Sequence, residues 1–222
     1  MRLGTKKSIC PFCPEIHDEP WNNTFKHVIS SETFPSRIIW ANADYLIIPP
    51  IGAFKEGYML LITRKHIPSF SYLTIEELEN VELLINSIIE SASKYYGSYT
   101  IFEHGAMDSL KNGGCCIDHA HIHLFPAKIQ FNKHIRKNYM PSEIHSLTEI
   151  KKKHLQEVPY LLTQEPDNKL FISDSDFVVS QYLRQIVSIE LGMSQFWDWR
   201  SHNFSEKMEK TYKVLKPLLN HI

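Results

Sequence analysis

Apolar and polar positions change rhythm several times along the chain, and each change predicts an element. Residues 1–36 hold no sustained period and are broken by Pro11, Pro14, Pro20 and Pro35, so they read as irregular. Residues 37–41 and 45–48 predict two short strands around a hairpin-type turn at Asn42, Ala43 and Asp44. Residues 57–63 (GYMLLIT) are continuously apolar at strand length, which predicts a strand covered on both faces. A helical period then takes over. Leu78, Val81, Leu84, Ile85, Ile88, Ile89, Ala92 and Tyr95 form one stripe of a helix over residues 74–96. Thr74 and Glu77 make a capping box at its start, and Gly97 is its stop signal. Residues 99–103 and 118–125 return to strand, joined by a loop at 105–114. The pattern up to Pro126 is that of an α+β domain, an antiparallel sheet crossed by one long helix.

After Pro126 the texture changes. Residues 128–157 are polar and carry Lys128, Lys133, Arg136, Lys137, Lys151, Lys152 and Lys153; the basic stretch 128–137 reads as a solvated face. Strands are predicted at 160–163 and 169–172, and helices at 180–191, ended by Gly192, and 205–218. No Gly/Ser/Pro linker divides the two parts. The expected organisation is a domain at residues 8–126 with a mixed, mainly helical C-terminal extension, residues 127–222, packed on it.

Composition narrows the function class. The 222 residues are 43% hydrophobic and 12% aromatic, enough for a core without disulfides and against disorder. A net charge of −1, from 24 Lys+Arg and 25 Asp+Glu, weighs against a protein that holds nucleic acid by charge. No apolar run reaches the length of a membrane span, and the basic residues 1–8 are not followed by the apolar segment of a signal peptide. The cysteines fall in two local pairs, Cys10/Cys13 and Cys115/Cys116. That is no disulfide framework; it points to a reducing compartment, so the expected location is cytoplasmic.

The most informative segment is His119-Ala120-His121-Ile122-His123-Leu124-Phe125. Strand side chains alternate, which puts His119, His121 and His123 on one face and Ala120, Ile122 and Leu124 in the core. Three imidazoles in a row must settle protons, partners and tautomers among themselves. The bland alternatives are a chance run among 12 histidines and a surface that collects metal adventitiously. Cys10 and Cys13 have the spacing of two thiolates on one Zn²⁺. Their alternatives are a buried small pair or a redox pair, the latter lacking its strand–motif–helix context.

Residues 119–125 match at every position the signature His-φ-His-φ-His-φ-φ (φ apolar) of the histidine triad (HIT) proteins, which the chain resembles over about residues 8–126. Glu103-His104-Gly105 with Gly113, Gly114 and Ile117 resembles the glycine-containing turn before that triad, with residues 106–112 inserted. Residues 57–66 look like the family strand that ends in a basic residue and a histidine. Cys10-Pro11-Phe12-Cys13 is similar to the cysteine pair of the zinc-binding branch.

The resemblance implies a HIT-like sheet and nucleotidyl transfer to a histidine. His121 would attack the α-phosphorus, His123 would donate to non-bridging oxygens, and His119 would complete the triad. Gly113, Gly114, Cys115, Cys116 and Glu103 would surround the substrate. A neutral imidazole suits the task, since it is nucleophilic near neutrality and its phosphoramidate is labile. The resemblance also implies a structural zinc on Cys10, Cys13, His66 and His119, a small nucleotide substrate and a homodimer. The implied activity is a hydrolase that cleaves a phosphoanhydride or phosphoramidate, of dinucleoside polyphosphate or nucleoside phosphoramidate type. Three rivals stand beside it: a nucleotidyltransferase with a sugar phosphate as acceptor, an enzyme removing adenylate from nucleic-acid ends, and a zinc-stabilised nucleotide-binding module without turnover.

Three positions depart from the family pattern. Pro50 stands where many members hold ribose with a carboxylate, Cys115-Cys116 replaces a polar pair, and Gly57-Tyr58 replaces Gly-His. In the extension, Arg184 or Arg200 could meet a phosphate, and Trp197 or Trp199 could stack on a base, with Gln181 and Tyr182 nearby. The alternative for these residues is packing and surface ion pairing.

Overall fold

The computed structural model describes residues 10–19, 21, 23–32, 34–107, 117–175 and 178–222. Its strands are β1 (Trp40–Ala41), β2 (Tyr45–Ile48), β3 (Met59–Thr63), β4 (Thr100–Gly105), β5 (His121–Phe125), β6 (Ser142–Ile144), β7 (Tyr160–Gln164) and β8 (Leu170–Asp174). Its helices are α1 (Cys13–Ile16), α2 (Thr24–Val28), α3 (Ile75–Tyr96), α4 (Phe131–Ile135), α5 (Lys151–Gln156), α6 (Tyr182–Glu190) and α7 (Ser205–Leu219). All strands join one sheet in the order β1-β2-β3-β5-β4-β7-β8-β6, antiparallel at each pairing. The fold is α+β, with helices on both faces of the sheet.

Helix α3 starts where the capping box predicts. Thr74 Oγ1 accepts from Glu77 N–H at 3.2 Å, and Thr74 N–H donates to Glu77 Oε2 at 2.7 Å. Two of the donors that a helix start leaves orphaned are thereby satisfied. Gly97 ends it at φ +75°, a conformation that suits a residue without Cβ. Leu78, Val81, Ile85, Ile88 and Ala92 are the buried stripe, packed on Ile47, Met59, Leu61, Ile101, Ile122 and Leu124 of the sheet. Tyr95, read as part of that stripe, is exposed.

The other sheet face is equally apolar. Ile48, Leu60, Ile62, Phe102, Phe125 and Leu161 pack there against Leu183, Ile186 and Val187 of α6 and Phe131 and Ile135 of α4. Coverage on both sides is why β3 reads as an unbroken apolar run. The basic stretch 128–137 is not simply a solvated face. Phe131 and Ile135 are fully buried, and the Phe131 ring lies 5.2 Å from that of Phe102. The lysines around them masked a short amphipathic turn.

Residues after 126 do more than pack on the first part. β7 pairs with β4 from Phe102↔Thr163 to Gly105↔Tyr160, β8 pairs with β7, and β6 pairs with β8. Strand β4 is thus flanked on both sides within the chain, by β5 and β7, and the sheet ends in β1 and β6. No described helix is long and apolar enough to cross a membrane. The β4–β7 junction is tight at one point: a Cβ on Gly105 would lie 2.2 Å from Cε1 of the Tyr160 ring. Tyr160 cannot yield easily, because its hydroxyl is bonded to buried Glu103. Gly105→Ala is expected to destabilise the fold by about 1–3 kcal/mol, the usual cost of overpacking. Thermal or urea unfolding against the parent protein measures it.

Candidate active site and metal cluster

The register of β5 places two of the three histidines. His121 pairs with Ile62 of β3, and His123 pairs with Leu60 of β3 and Phe102 of β4. Both rings lie on the face away from α3, with centroids 5.0 Å apart. His121 Nδ1 lies 2.6 Å from the carbonyl oxygen of His119. A carbonyl only accepts, so Nδ1 carries the hydrogen and Nε2 presents a lone pair. Phe102 stacks on His123 at 4.3 Å and 7°, and the Tyr58 hydroxyl stands 2.5 Å from His123 Nδ1. Burial lowers the pKa of both imidazoles, and the charge of Arg184 adds to the effect, so both are neutral near pH 7.

These rings open onto a cavity with a mostly apolar wall. Phe12, His104, Arg184 and Trp199 line it with them. Arg184 is 5% exposed and comes from α6 in the extension. Its Nε donates to Trp197 O at 3.0 Å, Nη2 to Gly52 O at 2.8 Å, and Nη1 to the Tyr58 hydroxyl at 3.3 Å. The guanidinium also sits 5.1 Å from the Phe54 ring centre. Among the described residues no carboxylate pairs with it. The cavity's other guanidinium, Arg37, is matched by both oxygens of Glu15 at 2.9 and 2.7 Å. Gly52 allows the 197–199 turn to close against it: at φ +74°, an added Cβ would lie 2.6 Å from Trp199 Cβ.

Beside the cavity, the ligand atoms of Cys10, Cys13, His66 and His119 all lie within 4.8 Å of one another, so the four could hold a metal ion. Cys10 Sγ is 3.3 Å from His119 Nδ1, and Cys13 Sγ is 3.2 Å from His66 Nδ1 and 3.7 Å from His119 Nδ1. Sulfur–nitrogen edges of a tetrahedral zinc site are about 3.5 Å, so the set fits that ion. His119 Nε2 donates to Thr63 O at 2.7 Å, which leaves Nδ1 as the ligand atom. Burial lowers the His119 pKa to about 4, keeping the ring neutral. Burial and then the neighbouring Cys10 push the Cys13 thiol up to about 12, so a cation is what would hold it as thiolate. Phe12, between the two cysteines, meets the rings of His119 and His121 edge-on at 5.7 and 5.5 Å. The cluster therefore carries part of the cavity wall.

Two expectations need correction. His119 does not share the cavity with His121 and His123. Strand β5 begins at His121, and the His119 ring is turned to the cysteines; only its carbonyl serves the neighbouring ring. Glu103 is not on the substrate side. On β4, Phe102 and His104 line the cavity, while Glu103 faces the other way. There it accepts from Phe70 N–H at 2.9 Å and the Tyr160 hydroxyl at 2.5 Å. Gly113, Gly114, Cys115 and Cys116 lie outside the described residues. Of the extension candidates, Arg184, Gln181 and Trp199 line the cavity, whereas Arg200 is bonded to Asp198. Pro50 forms part of the wall. Sequence reasoning missed the part played by Phe12, His104 and Tyr58. The signal for Tyr58 was a polar tip in an apolar strand, two positions before Leu60 and so on the His123 face.

Residues 31–129 match the family model described as the HIT domain. The match begins after the Cys10–Cys13 turn and ends before α4, so both the cluster's cysteines and Arg184 lie outside it. Among solved structures, a hypothetical histidine triad nucleotide-binding protein from Sulfolobus tokodaii is 14% identical, with a TM-score of 0.35. That alignment covers 41% of this chain and spans 60% of the Sulfolobus protein's length. A Hit-like protein involved in cell-cycle regulation from Bartonella henselae is 18% identical over 53% of this chain and 74% of its own, with a TM-score of 0.38. Yeast Ap4A phosphorylase in complex with AMP is 12% identical over 66% of this chain and 62% of its own, with a TM-score of 0.37. Comparison with curated proteins found no match.

Two outcomes follow from this arrangement. Cys13→Ser is expected to lower bound zinc well below about one ion per chain, as counted by elemental analysis of protein loaded with Zn²⁺. Burial pushes Glu103 up to about 7 from an ordinary value of 4.5, against the hydrogen bonds from Tyr160 and Phe70. The folded state therefore holds its proton more tightly than the unfolded chain. The stability this contributes is complete below pH 4.5 and is lost as pH rises through 7, by about 3 kcal/mol. Glu103→Gln is expected to flatten that slope in urea unfolding measured from pH 4.5 to 8.

Proposed function

Residues 31–129 being a HIT domain, we propose that this protein is a nucleotide-processing enzyme that cleaves a phosphoanhydride or phosphoramidate at the α-phosphate of a nucleotide conjugate. The observation that carries the reading is the orientation of His121. Its Nδ1–H is committed to the His119 carbonyl, and its ring borders the cavity with the opposite nitrogen unprotonated.

In the proposed reaction, the Nε2 lone pair of His121 attacks the α-phosphorus. A P–N bond forms as the bond from phosphorus to the bridging oxygen or nitrogen breaks. The leaving group departs with that electron pair and takes a proton from solvent. Water then attacks the same phosphorus, the P–N bond breaks back onto His121, and a nucleoside monophosphate leaves. His123 supplies a hydrogen bond to the non-bridging oxygens, whose charge is largest in the transition state. Arg184 supplies the cavity's positive charge, which no described carboxylate cancels. The apolar wall of Phe12, Pro50 and Trp199 suits a nucleoside and excludes water around it. Zinc on Cys10, Cys13, His66 and His119 would cross-link the chain start to the end of β3, with no open position for chemistry.

The test is a panel of dinucleoside polyphosphates and nucleoside phosphoramidates, with product identification for the parent protein and His121→Ala. The parent is expected to release a nucleoside monophosphate, and the variant to lose activity by several orders of magnitude. A denaturing quench at alkaline pH is expected to trap the nucleotidyl group on His121. Failure to trap it, with tight nucleotide binding, would identify a binding module instead. Capture of the group by an added sugar phosphate in preference to water would make the enzyme a transferase.

A further inference from the structure

Tyr58 lies wholly inside the protein, under the cavity floor. Its hydroxyl has two partners among the described residues: Arg184 Nη1 at 3.3 Å and His123 Nδ1 at 2.5 Å. Donor and acceptor rules leave little choice between them. A guanidinium has no lone pair to offer and can only donate. The phenol oxygen therefore receives a hydrogen from Arg184, and the phenol's own hydrogen has one remaining place to go, the ring nitrogen of His123. The reverse arrangement, with Nδ1–H donating to the phenol, would leave the phenolic hydrogen buried and without an acceptor, at a cost of about 1–3 kcal/mol.

We propose that Arg184 and Tyr58 are a positioning pair that locks His123 in one tautomer, with its single N–H on Nε2 as a donor into the cavity. The proposal rests on the reading above, in which His123 donates to the substrate's phosphate. It deepens that reading by assigning the choice of tautomer to two residues, of which Tyr58 lies within residues 31–129 and Arg184 beyond them.

The surroundings support the lock. Burial first, and then the neighbouring His121, Arg184 and His104, hold His123 well below the ordinary histidine value, so the ring is neutral and has one hydrogen to place. Burial raises the Tyr58 pKa, against the pull of Arg184, so the hydroxyl keeps its proton. The ring of His123 cannot swing away. Phe102 stacks on one side, and behind Phe102 stands Phe131 of α4. Tyr58 is itself wedged edge-on between Phe54 at 5.8 Å and Phe125 at 4.9 Å. Arg184 is fixed by carbonyls from two different loops, Gly52 and Trp197. A tautomer error in a hydrogen-bonding histidine removes the donor without moving the ring, so the effect belongs in turnover more than in binding.

The test is histidine ¹⁵N NMR on the full-length, zinc-loaded protein without nucleotide, with His123 assigned by difference against His123→Gln. The parent is expected to show His123 with Nε2 protonated and Nδ1 bare. Tyr58→Phe keeps the ring packing and is expected to give a mixture of tautomers. Arg184→Met, which frees the phenol to turn, is expected to shift the same signals part of the way. With a turned-over nucleotide conjugate, Tyr58→Phe is expected to lower kcat by about 10²-fold with KM nearly unchanged. A fluorinated tyrosine at position 58, which preserves shape and sharpens the acidity of the hydroxyl, is expected to move the Nδ1 signal, and it serves if the phenylalanine variant fails to fold. The proposal is overturned if parental His123 carries its hydrogen on Nδ1, or if its nitrogens are unchanged in Tyr58→Phe, in Arg184→Met or with the fluorinated residue. Because the tautomer is measured without substrate, it is decided even if no nucleotide conjugate is turned over, an outcome that would defeat the proposed reaction alone.

Discussion

A neutral imidazole has one hydrogen to place, and two backbone carbonyls decide the matter for adjacent members of the His119–His121–His123 run. Thr63 O takes the hydrogen of His119 at Nε2, which leaves Nδ1 facing the cysteines. His119 O takes the hydrogen of His121 at Nδ1, which leaves Nε2 bare. Two identical side chains two residues apart thus become different reagents, one suited to a metal and one to an electrophile. Both acceptors lie just beyond the last β3–β5 pair, Ile62 with His121, where Thr63 N–H still donates to Ala120 O at 3.4 Å, so the strand register is also a chemical instruction. A slip of one residue would turn the histidines into the α3 core and bring Ile122 to the cavity.

The cavity is assembled from three regions of the chain. The central strands bring His121, His123 and Phe102. The segment before β1 brings Phe12, held between the two thiols of the Cys/His cluster. The extension brings Arg184 and Trp199, and buttresses Phe102 through Phe131. The extension is anchored by backbone pairing as well as by side chains, since β7 and β8 continue the sheet that carries the histidines. Continuity of the ladder lets α6, with Val187 and Leu183 buried against the sheet, deliver a guanidinium to a fixed place.

Much of this was legible in the residues. The capping box of Thr74 and Glu77, the stripe of α3, the alternation in β5 and the Cys10/Cys13 spacing all obey local rules; His66 and His119 were reached only through the family resemblance, since 53 and 109 residues separate them from their cysteine partners. What escaped was long-range. Nothing local distinguishes β7 as the neighbour of β4, because pairing partners leave no mark in a single strand's pattern. Glu103 read as a site residue because Glu103-His104-Gly105 resembles the family's turn before the triad; the side-chain alternation of β4 sends it to the opposite face. Phe131 and Ile135 were hidden among lysines in a helix too short to show a period. Arg184 stood as one of several polar candidates in the extension. Its importance appeared only once burial, three neutral acceptors and the lack of a described counter-carboxylate were seen together.

The sheet closes at its two margins with very little strand. β1 has two residues and β6 has three, although six other strands run side by side between them. A long bare margin would offer a rail of unpaired amides and carbonyls to any extended peptide, including another copy of this chain. Here that rail is cut to a stub at each end. Sideways growth by strand addition thus finds only two short footholds among the described residues.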